Sequence, residues 1–209
     1  MISYGLGCIP GAPIVARRHG VDLRRVGDGN PGAWNALDQL GWRRAWPAFA
    51  IDGLKGLLAA VLGWVVLGDA PLGSAAHAVL GRGGADVLGW LPWQGAGALG
   101  LDAWLPWACV GAAMLGHAAP LPHPADGGKS VMAFAGGALA LVPVAGIPLV
   151  LLFGVAVVAR RAALGARVAV FAFPVVQALV TPLEQVGWTG LLMTGIGLLF
   201  LVRRGDRRR

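Results

Sequence analysis

The feature that most constrains the fold is a run of 29 residues, 131–159, that contains no charged side chain. A simple membrane-spanning helix needs about 20 apolar residues, so this run is too long for one typical span. Pro143, Gly146 and Pro148 interrupt it, and a proline inside a helix removes a backbone hydrogen bond. The sequence therefore predicts a hairpin of two short membrane helices, 131–142 and 145–159.

The composition extends this interpretation to the whole chain. Hydrophobic residues make up 56% of the sequence and charged residues only 13%, whereas a soluble domain has roughly 25% charged residues. Further apolar segments are 1–16, 47–67, 99–116, 168–181 and 188–202, and 68–98 is expected to form a loop with re-entrant or interfacial pieces. We therefore predict an all-α integral membrane protein with about seven short transmembrane helices in a single domain, 1–209.

The distribution of basic residues predicts the orientation. With the N-terminus outside, loops 17–46, 117–130 and 160–167 and the C-terminal tail are cytoplasmic, and they hold 15 of the 17 basic residues. Basic residues favour the cytoplasmic side of membrane helices. A single helix over 131–159 would instead place the basic tail outside. The charge pattern thus favours seven segments and a multi-pass protein of the bacterial inner membrane with a cytoplasmic C-terminus.

The net charge of +7 raises the alternative of nucleic-acid binding. Arginines that flank membrane spans explain the charge better, so we expect a lipid bilayer as partner and no nucleic acid. Cys8 and Cys109 both lie in apolar segments, and no Cys/His spacing suits a metal. We expect neither a metal nor a cofactor.

Two glycine-rich loops fall on the cytoplasmic face in this topology, residues 26–35 and residues 127–130. Glycine lets backbone N–H groups approach an anion closely, Asn30 and Asn35 add side-chain donors, and Lys129 adds a point charge of the kind that phosphate sites use. The two loops are expected to meet and hold a phosphate-bearing substrate. The alternative is that these loops have no special function, because glycine-rich loops are common in a chain with 34 glycines. The spacing before Lys129 lacks the first glycine of a Walker A loop, which excludes an NTPase site of that type.

Three ionisable residues near span ends are further candidates. Asp52 and Lys55 are three residues apart, on one helix face, and ionisable residues within membranes are functional candidates by default. The alternative is an interfacial pair that neutralises itself. His117 begins a polar loop, where a histidine can be structural or catalytic.

The order of the motifs resembles one family, PlsY, the integral-membrane acyl-phosphate:glycerol-3-phosphate acyltransferases of bacteria. The matching segments follow each other along nearly the whole chain: Gly7-Cys8-Ile9-Pro10, Val26 to Asn35, Asp52-Gly53-Leu54-Lys55-Gly56, Gly116-His117 with Pro120, and Gly127-Gly128-Lys129-Ser130. The family typically reads Gly-Ser-Ile-Pro, Gly-Ser-Gly-Asn-x-Gly-Ala-Thr-Asn, Asp-x-x-Lys-Gly, Gly-His-Asn-x-Pro and Gly-Gly-Lys-Gly. The resemblance implies seven membrane helices with the N-terminus outside and a cytoplasmic active site.

The resemblance also implies the reaction and the site residues. The substrates would be an acyl phosphate and glycerol 3-phosphate or a related acceptor, and the product lysophosphatidic acid for phospholipid synthesis. Asp28, at a position where the family has serine, and His117 are the expected catalytic residues. The expected substrate-binding residues are Gly29, Asn30, Gly32, Asn35, Lys55, Gly127, Gly128, Lys129 and Ser130.

Two other functions stay open at this stage. The family has an Arg-His-x-x-Asn motif near its C-terminus, and the equivalent segment here, Val202 to Arg207, has neither histidine nor asparagine. A non-catalytic relative that binds lipid precursors or a partner enzyme is therefore an alternative. A transporter or channel component is a further alternative. The lack of a polar stripe through the predicted spans argues against it.

Overall fold

The computed structural model describes residues 1–66, 104–159, 161–181 and 183–205. The described part contains helices and no strands, which agrees with the predicted all-α class. In chain order the α-helices are α1 Ile2–Cys8, α2 Gly11–Arg17, α3 Ala33–Leu40, α4 Trp42–Val66, α5 Trp104–Ala118, α6 Val131–Leu141, α7 Pro143–Val158, α8 Ala162–Ala178 and α9 Leu183–Gly205. The predicted loop 68–98 and the start of the predicted span 99–116 lie outside the described residues.

The N-terminal segment differs from the single short span expected for residues 1–16. It forms two helices of seven residues each, α1 and α2, separated at Ile9 and Pro10. Ile9 has extended backbone angles, because a residue before proline is sterically disfavoured in the helical region. The break brings Ile9, Pro10 and Gly11 to the wall of the cleft described below.

Helix α4 begins at Trp42, before the predicted start at Pro47, and contains that proline. Pro47 is the sixth residue of the helix, beyond the four whose N–H groups lack helical partners, so it removes one helical hydrogen bond. Ala45 and Ala48 are fully buried in a core with Ala12 and Ala16 of α2. Packing of this small-residue face therefore extends the helix through the proline.

Residues 131–159 form two helices, as the sequence predicts, and the break lies at Val142. Val142 precedes Pro143 and leaves the helical region with φ −137° and ψ 68°. The last two helices start earlier than predicted, α8 at Ala162 rather than 168 and α9 at Leu183 rather than 188.

By length and hydropathy together, α4 is the one helix of the described residues that can cross a membrane by itself. The helices α6 and α7 are apolar but only 11 and 16 residues long. Large apolar side chains of α7 and α8 are exposed: Leu151 and Val155 of α7 and Phe171 and Val175 of α8 are 64 to 72% exposed. A soluble surface rarely carries such a contiguous apolar patch, so the exterior of α7 and α8 suits lipid.

Glycine brings the central helices into backbone contact. A Cβ atom on Gly56 of α4 would overlap the carbonyl oxygen of Ala133 in α6, and one on Gly136 of α6 would overlap the carbonyl oxygen of Gly53. Small residues allow this approach between membrane helices, where dispersion contacts replace the hydrophobic effect as the main attraction. The close approach aligns the end of α5 and the start of α6 with the polar residues of α4.

A methyl group at the α4–α6 crossing is expected to destabilise the fold. The substitution Gly136→Ala forces α6 away from α4, since the new methyl group would meet the rigid backbone carbonyl of Gly53, and overpacking of this kind costs about 1–3 kcal/mol. The measurement is thermal unfolding of the purified protein in detergent, followed by loss of the monodisperse peak in size-exclusion chromatography.

The matched control is Gly154→Ala in α7, where a Cβ atom meets nothing within 4 Å. That variant is expected to unfold at or slightly above the wild-type temperature, because alanine favours the helix over glycine. Equal destabilisation by both substitutions would contradict a tight α4–α6 crossing.

Candidate active site

The two glycine-rich loops meet, as the sequence predicts. Lys129 Nζ lies 3.0 Å from Asp28 Oδ2, and Arg24 Nη2 lies 3.0 Å from Asp126 Oδ2. The Arg24 and Asp126 side chains are each 38% exposed, and exposed pairs contribute roughly 0–1 kcal/mol. These ion pairs therefore align two loops whose shapes are maintained by other contacts. The Arg24–Asp126 pair was not predicted, because opposite charges about a hundred residues apart give no local signal.

The buried side chain of Asn35 shapes the loop before α3. Its Nδ2 group donates to the backbone carbonyls of Leu23 at 2.8 Å, Val26 at 3.0 Å and Asn30 at 3.1 Å. Gly27 has a φ of +58°, and a Cβ atom there would overlap Asn35 Oδ1. The two N–H bonds of one side chain at the start of a helix thus serve three carbonyls of a loop that has no regular structure, one of them through a shared hydrogen.

Asp28 lies at the exposed end of this loop, and Asn30 beside it is buried. Asp28 Oδ1 accepts a hydrogen bond from the backbone N–H of Asn30 at 3.0 Å, which closes a side-chain turn. Gly29, between them, has a φ of +65°, which glycine adopts without strain. The Oδ1 atoms of Asn30 and Asn35 are buried and accept no hydrogen bond in the described structure. An unsatisfied buried oxygen is costly, so these two acceptors suit a hydroxyl or water that enters the loop.

The second glycine-rich loop folds back on the C-terminal end of α5. The N–H of Gly128 donates to the carbonyl of His117 at 2.9 Å, and Ser130 Oγ donates to the carbonyl of Met114 at 2.7 Å. Ser130 is buried and has a left-handed φ of 61°. A Cβ atom on Gly127 would overlap the Ala118 carbonyl. The His117 carbonyl, which the helix end leaves without an intrahelical partner, therefore anchors this loop together with the Met114 carbonyl.

A buried polar array lies beneath the two loops. Lys55 Nζ is 2.7 Å from Asp52 Oδ1 and 3.2 Å from Nδ1 of His117. The side chains of Asp52 and Lys55 are 1% and 2% exposed. The predicted helix-face pair is therefore present, and it has a third member on α5 that the sequence analysis treated separately.

A small cleft that is open to solvent lies beside this array. Its walls include His117, Gly127 and Gly128, together with the segment Gly7 to Gly11 at the α1–α2 break. Among the described residues, the walls do not include Asp28, Asn30, Lys55 or Lys129. The predicted site residues thus form two layers, a few that line the cleft and a larger set beside or beneath it. The motif Gly7-Cys8-Ile9-Pro10 is not among the predicted site residues, yet it lines the cleft.

Comparison with known proteins gives a consistent result. The family model described as glycerol-3-phosphate acyltransferase matches residues 1–207. A glycerol-3-phosphate acyltransferase of Salinibacter ruber is 35% identical over 181 residues, which are 86% of this chain and 71% of the relative.

Two crystal structures of PlsY, an integral membrane glycerol 3-phosphate acyltransferase, share the fold. Its glycerol 3-phosphate form superposes with a TM-score of 0.67 at 24% identity, over 99% of this chain and 86% of that one. Its lysophosphatidic acid form gives a TM-score of 0.64 at 23% identity, over 98% and 85% of the two chains.

Removal of the Asn35 amide donor is expected to loosen the loop before α3. Asn35→Asp keeps the shape but places a carboxylate oxygen against carbonyl oxygens, and unsatisfied buried carbonyls cost about 1–3 kcal/mol. Hydrogen exchange of the backbone amides of residues 23–30 is therefore expected to accelerate about 10- to 100-fold.

Asp38→Asn exchanges a carboxylate for an amide on the same helix at an exposed position and is expected to leave exchange in the loop unchanged. Unaltered exchange in Asn35→Asp would show that the loop does not depend on the three carbonyl contacts.

Proposed function

The chain belongs to the glycerol-3-phosphate acyltransferase family, and we propose that it transfers an acyl group from an acyl phosphate to the 1-hydroxyl of glycerol 3-phosphate. The hydroxyl oxygen bonds to the acyl carbonyl carbon, the bond between that carbon and the phosphate oxygen breaks, and inorganic phosphate leaves with the electron pair. The hydroxyl proton passes to a base. The organic product is lysophosphatidic acid, a precursor of membrane phospholipids.

The observation that carries this proposal is the meeting of the two loops beside the cleft. The turn at Gly127 and Gly128 and the ring of His117 line the cleft, and Lys129, the next residue after that turn, pairs with Asp28 of the other loop. Anionic oxygens need cationic and N–H groups that are already oriented, and such positioning supplies much of the acceleration in acyl and phosphoryl chemistry. Gly29, Gly32 and Asn30 would extend the same surface along the first loop.

Asp28 is proposed to act in two ways. In the described structure its Oδ2 atom lies against Lys129, so it holds the ammonium at the junction of the loops. A substrate phosphate that binds Lys129 would compete with this contact and free the carboxylate. The Asp28 side chain is 44% exposed, and a released carboxylate within reach of the hydroxyl can accept its proton.

Three of the predicted substrate-binding residues are buried and bonded to the protein. Asn35, Lys55 and Ser130 are each at most 2% exposed, and their donor groups are directed at the contacts described above. We propose that these three shape the site and that substrate touches Lys129, Asn30 and the glycine backbone.

The proposed location is the bacterial inner membrane, with several membrane passes and the site on the cytoplasmic face. The exposed apolar faces of α7 and α8 and the concentration of arginine in the proposed cytoplasmic loops support it. Seven spans with an external N-terminus is the topology that fits this charge distribution. An acyl donor would then enter from the bilayer between helices.

A non-catalytic role in binding lipid precursors or a partner enzyme is the second candidate. The C-terminal segment Val202 to Arg207 lacks the histidine and asparagine typical of the resembling family, and this difference is the observation in its favour.

Loss of the Lys129 charge is expected to reduce activity strongly. Purified protein in detergent is supplied with acyl phosphate and glycerol 3-phosphate, and phosphate release is followed with time. Lys129→Ala removes a charge-assisted contact to an anionic oxygen, worth about 1.5–3 kcal/mol, so kcat/KM is expected to fall at least about 10-fold. Arg18→Ala, which removes an exposed positive charge just after α2, is the control and is expected to retain activity.

Phosphate release that is absent from the wild-type protein would overturn the proposed activity. If the inactive protein still binds glycerol 3-phosphate and loses that binding in Lys129→Ala, the non-catalytic alternative is favoured. Activity that is equal in wild type and Lys129→Ala would show that the site lies elsewhere.

The proposed orientation predicts the accessibility of loop 117–130. In a variant with Cys8 and Cys109 replaced by alanine, His123→Cys introduces one thiol at an exposed position. A membrane-impermeant maleimide is expected to label it in inside-out vesicles and not in intact spheroplasts. The reverse pattern would place the site on the external face.

A further inference from the structure

The position of Lys55 determines which nitrogen of His117 carries the ring proton. Lys55 Nζ contacts two acceptors, Asp52 Oδ1 at 2.7 Å and His117 Nδ1 at 3.2 Å. A lysine ammonium has three N–H donors and no acceptor. In its contact with Lys55, Nδ1 of His117 must therefore accept the hydrogen bond, and it cannot carry a proton of its own.

The alternative arrangement, a neutral lysine and a charged histidine, fits the distances poorly. A charged ring would pair with Asp52, but His117 Nδ1 is 3.9 Å from Asp52 Oδ1, beyond hydrogen-bond distance. Lys55 has the shorter contact with that carboxylate oxygen, and a distance of 2.7 Å is typical of a charge-assisted bond. The proton therefore belongs to Lys55, and the ring is neutral.

The other ring nitrogen is directed at the glycine turn. A Cβ atom on Gly128 would overlap Nε2 of His117, and both residues line the cleft. The backbone N–H of Gly128 also donates to the His117 carbonyl at 2.9 Å, so ring and turn are held together at two points. Glycine at this position lets the ring edge reach the turn and the cleft.

We propose that the buried Asp52–Lys55 pair holds His117 as the neutral tautomer with its proton on Nε2, so that the ring offers the cleft an N–H donor. Which nitrogen is protonated is set by the hydrogen bond that the other makes, and here a buried ammonium makes it. Lys55 is thus a positioning residue that acts through His117.

This tautomer assigns a role to His117 in the proposed reaction, and only that role rests on the proposed function. A ring with Nδ1 occupied and Nε2 protonated donates a hydrogen bond to an anionic oxygen and does not take the hydroxyl proton. That proton then goes to Asp28 or to a substrate oxygen. Stabilisation of developing negative charge by an oriented N–H group is a common contribution to acyl transfer.

The direct test is nitrogen NMR of the full-length protein in detergent, labelled with ¹⁵N in its histidine rings, near neutral pH and without substrate. His117→Gln identifies the resonances of His117 by their disappearance. The expected result is an Nδ1 resonance of the unprotonated, pyridine-like type and an Nε2 resonance of the protonated, pyrrole-like type. The exposed His19 and His123 are internal references and are expected to show averaged values. A protonated Nδ1, with or without a proton on Nε2, would overturn the proposal.

Removal of the ion pair tests its cause. The double substitution Asp52→Asn and Lys55→Met leaves no isolated buried charge, so it is less disruptive than either change alone. We expect the His117 resonances to move toward averaged values, because nothing then selects one tautomer. An unchanged tautomer in a folded double variant would show that Lys55 does not set it. If this variant does not fold, the wild-type spectrum still decides the tautomer.

The catalytic consequence has a separate test. His117→Ala removes the donor and is expected to lower kcat/KM about 10- to 100-fold, the effect of one hydrogen bond to a charged group. His117→Gln places an amide N–H near the position of Nε2 and is expected to recover part of that loss. Equal losses in the two variants would contradict a donor role, even if the NMR result confirms the tautomer. If the wild-type protein has no activity, the proposed function fails, while the tautomer stands or falls by NMR alone.

Discussion

The rest of the site depends on one buried ion pair, Asp52 with Lys55. Moving two charges out of water costs several kcal/mol per ion, and only short contacts and further hydrogen bonds compensate for it. Here the carboxylate lies 2.7 Å from the ammonium, and His117 of α5 accepts a second hydrogen bond from it. A Cβ atom on Gly11 of α2 would lie 2.8 Å from Asp52 Oδ1, so glycine at this position lets α2 approach the carboxylate. The ammonium thus joins α4 to α5, and α2 packs against the same pair.

The two loops beside this pair also contain buried polar groups that need hydrogen-bond partners, and here these groups are backbone carbonyls. A buried carbonyl without a partner is costly, and the loops around the site have no regular ladder to pair with. Asn35 supplies the donor for three carbonyls of the first loop, and Ser130 supplies it for a carbonyl at the end of α5. These polar residues stabilise the loop shapes, and the more exposed Lys129 and Asp28 join the loops and face the proposed ligand. Binding and structural residues are therefore adjacent in sequence but differ in burial.

Local sequence patterns predicted much of this and failed at identifiable points. The break within residues 131–159 was predictable, because proline restricts the residue before it whatever surrounds it. The start of α4 was not predictable from the sequence, because burial of Ala45 and Ala48 extends the helix through Pro47. The glycine-rich loops were recognised as partners from residue type and shared membrane face. The contact between Lys55 and His117 was not predicted, because neither segment carries a sequence signal for its partner.

The sequence by itself determined the helical class and the membrane character of the chain, through uninterrupted apolar segments and the scarcity of charge. It also determined the family, through the order of its motifs. Only the tertiary structure decided which residues of those motifs are accessible and which are enclosed. Lys55 and Lys129 both lie beside glycine in the sequence, yet their side chains are 2% and 15% exposed. The reason is that hydropathy and residue type act locally along the chain, whereas burial and hydrogen-bond partners depend on how close glycine lets distant helices approach.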